Sequence, residues 1–77
     1  MNRQEAVSLL KQMVVVCKSF DDARSISIER NNVTDGWELH VNFIPSLTEI
    51  AILEKIVDEK SLEMVMFKGK MIFRSIP

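Results

Sequence analysis

The chain has 77 residues, 47% of them hydrophobic and 27% charged, with ten basic and eleven acidic side chains and a net charge of −1. That balance excludes a broad electrostatic grip on nucleic acid, which needs clustered Lys and Arg, and no apolar run approaches the roughly 18 residues of a membrane span. A single cysteine excludes an internal disulfide, and one His beside one Cys leaves no metal-ligand set of the usual kind.

A domain of this length typically has a stability margin of only ~3–5 kcal/mol from its core. With disulfide and metal set aside, tight packing or association with a second subunit must supply the rest. Arg3, Glu5 and Lys11 interrupt the N-terminal segment, so it lacks a signal-peptide pattern. Together with the lone cysteine this leads us to expect a cytoplasmic protein.

Residues 2–17 read as a helix. Asn2 can cap it, with Glu5 three residues on as in a capping box. Ala6, Leu9, Leu10, Met13, Val14 and Cys17 recur at the spacing of one helical face. The run "MVVVC" could also suit a strand, because branching at Cβ restricts χ1 in a helix. The upstream period runs straight into it, so the segment is read as helical. Residues 19–24, "SFDDAR", are a connection, and Asp21-Asp22 suits a turn or cap better than a metal site.

"SISIER" alternates, with Ile26 and Ile28 inward. "WELHVNFI" alternates more cleanly, with Trp37, Leu39, Val41 and Phe43 on one face and Glu38, His40 and Asn42 on the other. The turn-rich segment 31–36 joins them into an antiparallel hairpin. Its turn could centre on Asn31-Asn32, on Asp35-Gly36, or span most of the loop. These registers differ by even shifts, so each leaves the same residues on the same face. Trp37 is expected as a core anchor, and the outer face, Ser25, Ser27, Glu29, Glu38, His40 and Asn42, as solvated.

A second helix follows over 44–60, with Ser46 as N-cap, Glu49 as its capping-box partner and a stripe of Leu47, Ile50, Leu53, Ile56 and Val57. Strands 62–67 and 70–75 then flank a two-residue turn at Lys68-Gly69. The order α-β-β-α-β-β predicts a two-layer α+β sandwich, a single domain over 1–77, with a four-stranded antiparallel sheet and both helices on one face.

Counting across the turn pairs Phe67 with Lys70, Met66 with Met71, Val65 with Ile72, Met64 with Phe73 and Glu63 with Arg74. Leu62, Met64, Met66, Met71 and Phe73 then form the core side. The other side has an apolar centre of Val65, Phe67 and Ile72 within a rim of Glu63, Lys70 and Arg74. An apolar centre with a charged rim is the layout of a protein interface. The expectation is a non-catalytic, cofactor-free interaction module. It would join a partner protein or form a homodimer through this face or the edge of strand 70–75. The alternative is nucleic-acid binding through Phe67, Lys68, Lys70 and Arg74.

His40 sits between Glu38 and Asn42 without an evident nucleophile, so it reads as a surface histidine rather than a general base. Cys17 lies near a helix C-terminus, where the dipole disfavours a thiolate, and reads as buried and structural.

Overall fold

Asn2 accepts a hydrogen bond from the Glu5 N–H while the Glu5 carboxylate accepts one from the Asn2 N–H, so the first helix begins with a complete capping box. The computed structural model describes residues 1–21 and 23–76. Helix α1 spans Arg3–Val16 and is followed by two short 3₁₀ turns, Lys18–Asp21 and Ala23–Ser25. Asp22, half of the acidic pair assigned to a turn, lies outside the described residues. All three valines are helical, but Cys17 is already extended (φ −130°, ψ 110°), so the helix stops where the branched residues end.

Strands β1 (Ile26–Asn31) and β2 (Gly36–Val41) form the first hairpin. Asn31 pairs with Gly36, so the turn occupies 32–35, with Asp35 left-handed at φ 57°. Ser46 and Glu49 form a second capping box and start α2, Leu47–Glu59. Strands β3 (Leu62–Phe67) and β4 (Lys70–Ser75) flank Lys68 (φ 51°) and Gly69 (φ 76°), the two left-handed positions of a type I′ turn. Every cross-strand pair counted from that turn is present, from Phe67 with Lys70 to Glu63 with Arg74.

The four strands form one antiparallel sheet in the order β1-β2-β4-β3. Helix α1 packs on β2 and β1, and α2 on β3. Leu9 and Met13 of α1 and Leu53, Ile56 and Val57 of α2 meet Leu39, Val41, Met71 and Phe73 in one core. The protein is therefore a two-layer α+β sandwich in the order α-β-β-α-β-β. No described helix is long and apolar enough to cross a membrane.

Several expectations change. Strand 70–75 is interior, lying between β2 and β3, so it has no edge to offer; the edges are β1 and β3. Leu47 is exposed, because at 100° per residue it lies about 120° around α2 from Leu53. Met66 points to the helix side yet is 62% exposed. The second half of α2 lies beside Leu62 and Met64, and Met66 is further along the strand. Trp37 takes the inner face but stays half-buried at the sheet's end, under the Arg3 guanidinium 6.0 Å from its ring.

Phe20, in the connection, is fully buried and packs edge-on against Phe43, with ring centroids 5.4 Å apart. Just beside it, Ser19 donates to the Glu49 carboxylate at 2.7 Å and ties the exit of α1 to the first turn of α2.

Candidate interaction surface

The side chains opposite the core line the sheet's outer face. Cross-strand pairing sets one row across it, Ser27, His40, Ile72 and Val65, with each residue beside the next. The row changes character midway. Its first half is polar and its second half apolar.

Val65 and Ile72 are direct partners and each is half-buried. Phe67 lies further along β3 and is 56% exposed. Lys70 pairs across from Phe67, and Lys68 reaches over its ring with Nζ 5.3 Å from the centroid. On the other side of Val65, the Arg74 Nε donates to the Glu63 carboxylate at 2.6 Å. The structure thus brings all six expected residues, Val65, Phe67, Ile72, Glu63, Lys70 and Arg74, onto one hairpin face.

The neighbouring polar region is not the solvated surface its sequence suggests. Glu38 is only 8% exposed, and His40 is half-buried. Glu38 and Glu29 face each other across the strands, a like-charge pairing that costs energy alone. His40 relieves it: Nε2 lies 2.9 Å from Glu38 and Nδ1 lies 3.5 Å from Glu29. Ser27 donates to Glu29 and Asn31 donates to Glu38, at 2.7 and 2.8 Å. Burial pushes the Glu38 carboxyl up. The hydrogen bonds from Asn31 and His40, with the charges of His40 and Arg74, outweigh it and hold the carboxyl below its ordinary range.

This arrangement limits the chemistry. The two carboxylates approach opposite nitrogens of one imidazole, so they cannot converge with it on a single ion. The described residues contain no group of three or more His, Cys, Asp and Glu placed to hold a metal. Ser27, the nearest hydroxyl in the row, is hydrogen-bonded to Glu29 rather than aligned on His40. Among the described residues, neither His40 nor Cys17 lines the surface grooves of about 350 to 500 Å³ found beside α1, α2 and the sheet ends.

Cys17 is buried, and burial raises its thiol above the ordinary value, with the Glu49 charge adding to the effect. A protonated, covered thiol is a packing group rather than a nucleophile. Compared with protein-family profiles, curated proteins and solved structures, the chain has no match in any of the three.

Proposed function

We propose that this protein is a small non-catalytic interaction module whose contact surface is the outer face of the β3–β4 hairpin. Val65, Phe67 and Ile72 are its anchors. Glu63, Lys70 and Arg74 form its rim and set partner register. The observation that carries the reading is the placement of Phe67, exposed on an edge strand beside the Val65–Ile72 pair, on the sheet face opposite both helices. Burying Phe67 fully against a partner contributes roughly 1.5 kcal/mol or more. The charged groups around it exclude wrong partners rather than add much affinity. A cytoplasmic setting belongs to the same reading, supported by the unpaired thiol of Cys17.

Nucleic-acid binding through Phe67, Lys68, Lys70 and Arg74 is the alternative and has weaker support. Lys68 already covers one face of the only aromatic ring in the patch, and Arg74 is held by Glu63. Sedimentation of the wild type and quantitative pull-down with wild-type and Phe67→Glu baits test the main reading. The expected result is association, with itself or with another protein, that the substitution weakens. A monomeric wild type whose bait retains the same proteins as the Phe67→Glu bait overturns it.

A further inference from the structure

The interaction reading leaves the partner open, and the sheet edges narrow it. Edge strands carry a row of unpaired backbone groups, and proteins blunt them with charges, proline or bulges. β1 is blunted: Glu29 and Arg30 are both exposed on it, and Arg30 pairs with Asp35. β3 is not. Its sequence, LEMVMF, carries one charge, Glu63, and that carboxylate is bound to Arg74.

The hydrogen-bonding direction of each β3 residue follows from the turn. In a two-residue hairpin the flanking pair, Phe67 with Lys70, is hydrogen-bonded, and bonded pairs alternate with unbonded ones from there. Val65 and Glu63 therefore bond to β4. The N–H and C=O groups of Leu62, Met64 and Met66 point away from the sheet.

The two ends of this edge are complementary. At one end a groove of about 380 Å³ runs between α2 and β3, lined by Val57, Leu62 and Met64 with Glu54 and Asp58 among its walls. At the other end, on the same helix side, Met66 is exposed, with Lys68 following it at the turn. One end is an apolar groove with acidic walls, and the other an apolar projection with a basic neighbour. An antiparallel two-fold pairing sets each end of one copy against the opposite end of the other.

We propose that the partner is a second copy of this chain, joined through antiparallel pairing of the two β3 edges into a continuous eight-stranded sheet. This rests on the reading of the hairpin as an interaction surface and names its occupant. Val65 faces its own counterpart, which merges the two Val65–Ile72 patches into one apolar row across the outer face. Met64 of each copy exchanges hydrogen bonds with Met66 of the other. Lys68 of each copy lies opposite Leu62 of the other, and its ammonium turns from its own Phe67 ring toward Glu54 and Asp58.

Backbone amide exchange followed residue by residue, with light scattering on the same samples, tests the pairing. The Met64 and Met66 amides are expected to exchange at least about tenfold more slowly at concentrations where the protein is dimeric. The Val65 amide, bonded within the hairpin in either state, serves as the internal reference. Met66→Pro removes one outward N–H and no bond within the sheet, and is expected to give a folded monomer. A dimer whose Met64 and Met66 amides still exchange as in the monomer overturns edge pairing and leaves the interaction reading standing. A wild type still monomeric at about 1 mM overturns the second copy as partner, and the pull-down then decides the broader reading separately.

Discussion

His40 and Ile72 are cross-strand partners on the outer face, and the boundary between the sheet's two surface characters runs between them. On the His40 side, Ser27, Glu29, Glu38 and Asn31 are turned onto one another. On the Ile72 side, Val65 continues the row to the unpaired edge of β3. Polar groups that satisfy one another gain little from a partner, whereas apolar area gains in proportion to what is covered. The apolar area that covering would reward on this face therefore lies with the second hairpin.

The Glu38 network makes stability depend on acid. Burial opposes the charge of Glu38, but Asn31, His40 and Arg74 together lower its folded value below the ordinary 4.5. A carboxyl depressed in the folded state contributes stability that is fully present above its unfolded value. That contribution is lost as the pH falls through the folded value. Glu38→Gln is expected to flatten the fall in unfolding free energy below pH 4.5, as measured by urea denaturation at several pH values. Asn31→Ala is expected to cost about 1–3 kcal/mol at neutral pH, because it leaves a nearly buried carboxylate with one donor fewer. Equal acid limbs for wild type and Glu38→Gln would show that the carboxylate is not depressed.

How far the sequence reveals this protein depends on the range of the interaction involved. Both capping boxes and the second hairpin were legible because their chemistry is local. Ser46 and Glu49 are three residues apart, and a Lys-Gly pair at two left-handed positions sets every pair in β3–β4. The strand order was not legible, since nothing within β4 says that β2 will add to it. Phe20 was missed although it extends the α1 stripe by three residues beyond Cys17, because the surrounding polar residues read as a loop. Met66 and Leu47 have the right residue type but lie beyond the reach of the opposite layer. Glu38, His40 and Glu29 alternate as solvated residues do, and alternation does not distinguish side chains in water from side chains bonded to each other. The facing carboxylates beside a histidine were the available signal.

Glu49 links three features and offers a second test. It completes the α2 capping box, accepts from Ser19, and adds negative charge near Cys17. Glu49→Ala is expected to cost about 1 kcal/mol of stability, as loss of a helix cap does. It is also expected to lower the Cys17 thiol value, because one of the two causes holding it up is removed. Thiol titration under native conditions measures the second effect independently of the first. A thiol value unmoved by the substitution would refute the coupling.

The burial of Cys17 gives a kinetic prediction. Its thiol is covered and raised, so both access and thiolate fraction are low. Alkylation at pH 8 is expected to be slower in the native protein than in urea by about a hundredfold or more, limited by opening of the fold. Complete labelling of the native protein at the rate of a free thiol would contradict the packing described for α1 and the connection.

The turn that sets the β3 register can be tuned in both directions. Gly69 lies at φ 76°, and a Cβ placed there would meet no atom within 4 Å. The cost of Gly69→Ala is thus backbone strain alone, about 1–2 kcal/mol for an L-residue held in the left-handed region. Lys68 already bears such strain at φ 51°. Asn tolerates that conformation and favours the first position of this turn type, so Lys68→Asn is expected to stabilise the hairpin by a few tenths of a kcal/mol. The same substitution removes a cation from the basic end of the β3 edge. Thermal unfolding of dilute protein should therefore show Lys68→Asn at or above the wild type, while self-association at high concentration weakens. If the two effects move together, the lysine acts through turn geometry rather than through its charge at the edge.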